Sequence, residues 1–129
     1  MDVEFTEEGD GKVMVVLVDD DNSFRSALAE NLRDDGHEVV EYSAPSEVPL
    51  LKRLGEVRGV LITDYEMPGA NGLVFADTFH TTHPSIPVVM ITASPTPNLV
   101  AQAAARTFVR LLRKPLDYND LRTVLSELP

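Results

Sequence analysis

Cysteine and tryptophan are both absent, and only 11 basic residues stand against 21 acidic ones in a chain of 129. Without cysteine there can be neither disulfides nor thiolate metal sites, which fits the cytoplasmic location expected for the chain. A formal net charge of −10 argues against direct nucleic-acid binding, because contacts to phosphates need a basic patch. No apolar run approaches the roughly 18 residues of a membrane span, so no membrane association is expected. The start, MDVEFTEEGDGK, lacks the basic and apolar regions of a signal peptide. It reads as a disordered acidic lead-in, residues 1–12, before a single folded domain, residues 13–129. The three histidines, His37, His80 and His83, are scattered and form no ligand set.

What is present is a regular alternation. VMVVLV (13–18) is a continuous apolar run rich in β-branched residues, the pattern of a strand buried on both faces. Phe24, Ala27, Leu28 and Leu32 then recur at helical spacing, with Gly36 placed to end the helix. HEVVEY (37–42) is a second strand. A short helix is expected from Ser46 as N-cap, with Pro49 in its first turn and Leu50, Leu51 and Leu54 along it. GVLIT (59–63) is the third strand, followed by a loop around Asp64 and a helix through Leu73, Ala76 and Phe79. IPVVMIT (86–92) is the fourth strand. Thr96 caps a fourth helix with Pro97 at its first position. FVRLL (108–112) is the fifth strand, and Asp117 caps a fifth helix carrying Leu121, Val124, Leu125 and Leu128. This alternation predicts an α/β doubly wound parallel sheet with helices on both faces.

In such folds ligands bind beyond the carboxyl ends of the strands, where the winding direction reverses. Polar groups stand at those ends: Asp19 and Asp20 after the first strand, Asp64 after the third, Thr92 ending the fourth and Lys114 after the fifth. Converging carboxylates repel each other unless a cation lies between them, and hard oxygen ligands suit Mg²⁺. A hydroxyl and an ammonium could hold the remaining oxygens of a phosphoryl group, leaving one carboxylate as nucleophile. Phosphoryl transfer asks mainly for positioning and charge neutralisation.

VLVDDDNSFR, DYEMPGANG, VVMITAS and LLRKP occur in this order. The set resembles the acidic, phosphoacceptor, switch-threonine and lysine-proline segments of the receiver domain of two-component response regulators, over residues 13–128. That resemblance implies a flavodoxin-like strand order, 2-1-3-4-5. Asp64 would be phosphorylated by a sensor histidine kinase or phosphotransfer protein in a phosphorelay. Asp20 would bind Mg²⁺ directly, Asp19 largely through water, and the Glu66 main-chain carbonyl would be a further ligand. Thr92 and Lys114 would hold the phosphoryl group, the bond before Pro115 would be cis, and the domain would catalyse its own phosphorylation and dephosphorylation without being an enzyme on a separate substrate. Its output would be a protein-interaction surface made by helix 4, strand 5 and helix 5, which could also form a homodimer.

The chain departs from the family's pattern in three places. Leu111 replaces the usual aromatic three residues before the lysine, Thr107 and Phe108 replace a Gly-Ala pair, and Glu66 puts a charge two residues after the acceptor. In the first two respects the chain is similar to FixJ-like and stand-alone receivers. One alternative is a degenerate receiver acting only as a binding or dimerisation module, which a broken acceptor set would betray. Another is a Mg²⁺-dependent aspartyl phosphatase, which would carry a second aspartate where Glu66 stands. Asp21 reads as a helix cap or a solvated loop residue. Arg106, Arg110 and Arg113 form a solvated basic face or a contact for an acidic partner. The last helix runs to Pro129, leaving a stand-alone regulator or a segment of a longer one as the two alternatives.

Overall fold

β1 (Met14–Val18) is buried along its whole length, and its side chains alternate between two cores as the pleat requires. Met14, Val16 and Val18 enter one core while Val15 and Leu17 enter the other. The computed structural model describes residues 12–128; the expected lead-in, Lys12 apart, lies outside the described residues. β1 feeds α1 (Asn22–Asp34), whose N-cap is Asp21, with its carboxylate accepting from Phe24 N. α1 ends as the sequence predicts. Gly36 adopts φ +93, and the Gly36 and His37 N–H groups donate to the carbonyls of Arg33 and Leu32 at 2.9 and 3.1 Å. This pair of bonds closes the helix end in a Schellman motif, where the positive φ favours glycine.

β2 (Glu38–Tyr42) follows. The helix expected from Ser46 does not form. The chain makes two short 3₁₀ turns instead, Pro45–Glu47 and Lys52–Gly55. Pro49 biases its predecessor away from helical geometry, and Val48 is extended at φ −80, ψ 115. Ser46 therefore lies inside a turn rather than at a cap, Leu50 is exposed, and only Leu54 of the three leucines is buried.

β3 (Gly59–Asp64), α2 (Gly72–Thr82), β4 (Val88–Thr92), α3 (Pro97–Ala104), β5 (Val109–Arg113) and α4 (Tyr118–Glu127) complete the alternation. The five strands pair in the order β2-β1-β3-β4-β5, all parallel, as expected. One core joins alternate strand residues to Leu73, Ala76 and Phe79 of α2 and to Leu99 and Ala103 of α3. The other joins Val15, Leu17, Val60, Ile62, Val89 and Ile91 to α1 and α4. Each fully buried leucine in these layers contributes about 1.5–3 kcal/mol relative to an exposed one. Winding reverses between β1 and β3, which are direct neighbours. The carboxyl ends of those two strands carry Asp19 and Asp64.

Candidate functional site

Every element meeting at this edge is fixed by a local feature. α2 begins against the loop that follows Asp64, and Gly72 permits that approach. A Cβ there would lie 2.7 Å from Tyr65 Cα and 2.9 Å from the Asp64 carbonyl oxygen, closer than real contacts allow. Asn71 caps α2 by accepting from Leu73 N at 2.8 Å. Residues Glu66–Met67 and Ala70–Asn71 pair antiparallel across a tight turn in which Gly69 takes φ +68. The main chain of β4 holds both flanks: Tyr65 N donates to Ile91 O, and Lys114 N donates to Thr92 O, each at 2.8 Å. The Lys114–Pro115 bond is cis, as the resemblance implies.

Asp19, Asp20 and Asp64 each place a carboxylate oxygen within 4.8 Å of the others. Asp19 and Asp64 are buried, whereas Asp20 is exposed at the rim. Lys114 Nζ lies 3.2 Å from Asp64 Oδ1 and 3.8 Å from Asp19 Oδ2. The ammonium also sits 4.7 Å from the centroid of the Phe24 ring, a cation–π contact that holds it over the crevice. Arg25 ties the acidic loop down from the other side. Its guanidinium donates to the Asp19 carbonyl at 2.6 Å and to Glu41 Oε1 at 3.2 Å. Asp21 serves as the helix cap and also donates its N–H to Asp19 Oδ1 at 2.9 Å.

Burial first, and then the negative charge of Asp19, push the Asp64 carboxyl up from 3.8 to about 6, although Lys114 opposes the shift. Burial likewise raises Asp19. Burial alone would lower Lys114, but Asp64 and Asp19 outweigh it and the ammonium is stabilised. Despite its ion pair with Lys114, Asp64 Oδ1 is buried without a hydrogen bond of good geometry. A buried carboxylate oxygen with a single ammonium 3.2 Å away, beside two further carboxylates, is an environment a hard divalent cation satisfies. The donor set therefore fits Mg²⁺.

Thr92 ends β4, fully buried, but its hydroxyl is turned to Glu66. Thr92 Oγ1 donates to Glu66 Oε2 at 2.6 Å, Ala93 N donates to Glu66 Oε1 at 3.3 Å, and Ser94 N donates to Thr92 Oγ1 at 3.0 Å. The structure thus brings Asp19, Asp20, Asp64 and Lys114 together directly and adds Thr92 on the adjacent strand, linked to the Glu66 side chain. Sequence reasoning missed the site roles of Phe24, Arg25, Gly72 and the Glu66 carboxylate. Gly72 left a local signal, as a glycine opening a helix just after a loop, and Glu66 left one as a charge two residues after Asp64. The histidines serve the framework: His37 Nδ1 accepts from Val13 N and His83 Nε2 from Leu51 N, while His80 stacks on Phe108. Arg106 is held by Asp77 and Arg110 by Glu127, so two of the three basic residues near β5 are paired within the fold.

A five-stranded parallel sheet in this order, with an acidic trio and a lysine gathered at its carboxyl edge, defines a doubly wound α/β domain with a polar crevice at its switch point. The family model described as response regulator receiver domain matches residues 15–126, and the chain belongs to that family, the receiver domains of two-component signal transduction. It is similar to the response regulator protein FleR of Pseudomonas aeruginosa, with 33 % identity over 121 residues that cover 89 % of this chain and 25 % of FleR. The cyclic di-GMP phosphodiesterase response regulator RpfG of Xanthomonas campestris is 30 % identical, over 96 % of this chain and 34 % of that protein. Among solved structures, the Vibrio cholerae chemotaxis protein CheY4 superposes with a TM-score of 0.75 at 27 % identity, covering 92 % of this chain and 99 % of that one. The chain spans about a quarter to a half of the length of the first curated relatives it matches. Among the described residues, no helix is long and apolar enough to cross a membrane.

Proposed function

We propose that this receiver accepts a phosphoryl group on Asp64 from the phosphohistidine of a sensor histidine kinase or phosphotransfer protein in the cytoplasm. An Asp64 carboxylate oxygen attacks phosphorus and forms the acyl phosphate. The phosphorus–nitrogen bond breaks, and the departing imidazole nitrogen keeps the electron pair and takes up a proton. Asp19, Asp20, Asp64 and the Glu66 carbonyl would hold Mg²⁺, which when bound neutralises charge on the phosphoryl oxygens. Lys114 pairs with one phosphoryl oxygen and Thr92 donates its hydroxyl to another. The new charge then biases a two-state surface made by α3, β5 and α4, which is also the face proposed for partner binding and for a homodimer.

The single observation that carries this reading is the crevice itself. The buried Asp64 carboxylate has carboxylate oxygens of Asp19 and Asp20 within 4.8 Å and the Lys114 ammonium 3.2 Å from its Oδ1. Incubating the protein with Mg²⁺ and acetyl phosphate and then weighing it intact should show one added phosphoryl group, labile to hydroxylamine. Asp64→Asn should abolish the gain, and Asp21→Asn should leave it largely intact. Labelling of Asp64→Asn at the wild-type rate would show that the nucleophile is another residue.

A further inference from the structure

The Glu66 side chain is exposed, yet it is not simply solvated. Its two carboxylate oxygens take two adjacent donors at the end of β4, the Thr92 hydroxyl at 2.6 Å and the Ala93 N–H at 3.3 Å. The first distance is that of a strong, charge-assisted hydrogen bond. Thr92 is fully buried, and its hydroxyl oxygen is also fixed by Ser94 N at 3.0 Å, so the hydroxyl has one proton to give and gives it to Glu66. These donors belong to the strand beside Asp64: Asp64 stands opposite Ile91 in the β3–β4 register, and Tyr65 N is bonded to Ile91 O. Asp64 and Glu66 therefore present their carboxylates to one small region. The negative charge of Glu66 is among the influences raising Asp64, after burial and Asp19.

A phosphoryl group carried by Asp64 offers the same chemistry as the Glu66 carboxylate, namely anionic oxygens seeking N–H and O–H donors. The Thr92 hydroxyl cannot donate its single proton to both. We propose that in the unmodified protein Glu66 occupies the donor pair that a phosphoryl group on Asp64 requires. Glu66 is thus a positioning residue whose displacement sets how readily the site takes an anion. The proposal rests on the acceptor reading of Asp64 and adds a competing internal ligand to it. Its consequence needs a carboxylate two residues beyond Asp64 with the length to reach Thr92, which Glu66 supplies. Accepting an anion must break the Glu66–Thr92 bond and turn Glu66 out to water, where its exposed position allows it to go.

The experiment is a titration of the full chain with beryllofluoride in excess Mg²⁺, followed through the amide resonances of Ala93 and Ser94. Glu66→Ala should tighten half-saturation about three- to tenfold, the upper figure corresponding to about 1.4 kcal/mol. Glu66→Gln should fall between Glu66→Ala and the wild type, since its amide oxygen still accepts a bond but carries no charge. Plain charge repulsion would give a similar ranking, so the decisive comparison is in the background. In Thr92→Val the gain from Glu66→Ala should shrink by at least half, while in Thr92→Ser, which keeps the hydroxyl, it should persist. A Glu66→Ala protein with wild-type half-saturation, or one whose gain is undiminished in Thr92→Val, would overturn the proposal and leave the acceptor reading standing. Failure of the wild type and every variant to bind beryllofluoride would overturn both.

Discussion

Replacing Asp64 by asparagine should make the metal-free protein more stable at neutral pH, even though it removes the proposed acceptor. The Asp64 carboxyl is pushed up from 3.8 to about 6, chiefly by burial and then by the neighbouring Asp19 charge. Below the lower value the carboxyl is protonated in both the folded and the unfolded chain. As pH rises through the window between the two values, the unfolded chain releases its proton first, and the folded state loses stability relative to it. The loss accrues at roughly 1.4 kcal/mol for each pH unit of that window and is complete above about 6, where it reaches about 3 kcal/mol. At about pH 5 only part of it, about 1.5 kcal/mol, has accrued. Asparagine keeps the shape and carries no charge, so its advantage over the wild type should grow by about 1.5 kcal/mol between about pH 5 and about pH 8. Urea denaturation of both proteins at the two pH values, with a chelator present, reads this difference directly. A constant gap between the two pH values, or an Asp64→Asn protein less stable than wild type at the higher one, would refute the argument. Excess Mg²⁺ should narrow the gap, since the cation favours the ionised carboxylate.

Millimolar Mg²⁺ should raise the melting temperature of the wild type, because a ligand that binds only the folded state adds about 2.7 kcal/mol at a hundred times its Kd. Asp20→Ala should lose most of that rise, and an equal rise in the variant would remove Asp20 from the metal site. Gly72→Ala should destabilise by about 1–3 kcal/mol, as overpacking does, and should slow labelling by acetyl phosphate, because the added methyl meets Tyr65 Cα and the Asp64 carbonyl; unchanged labelling would show that the loop tolerates the shift. Leu111, which packs partly buried against the α2–α3 core, should cost about 2 kcal/mol on truncation to alanine without uncoupling anion binding from the response of α3 and β5. Thr92→Ala should do the reverse, and helix and strand amide shifts with beryllofluoride would separate the two.

Much of this molecule is legible because its signals are local. A β-branched apolar run, a helical spacing of leucines and an N-cap each act within a few residues. Asp21, Thr96 and Asp117 therefore cap the helices that begin beside them. The crevice residues are legible for a related reason: a parallel sheet gathers the carboxyl ends of its strands at one edge, so a residue's place at a strand end already gives its place in space. The failure between Ser46 and Leu54 is also local. Leucines at helical spacing point to a helix there, but the backbone restriction at Val48 and Pro49 outweighs them.

By itself, then, the sequence determined the alternation of elements, the carboxyl-end placement of Asp19, Asp20, Asp64, Thr92 and Lys114, and hence the family. Only the tertiary structure decided which side chains complete the crevice. Phe24 meets Lys114 across α1 and β5, Arg25 reaches back to the Asp19 carbonyl while pairing with Glu41, and Glu66 grips Thr92 from a different strand end. Most of these partnerships join residues far apart along the chain. They depend on how strands and helices stack and on where long side chains find donors, and neither periodicity nor spacing encodes that.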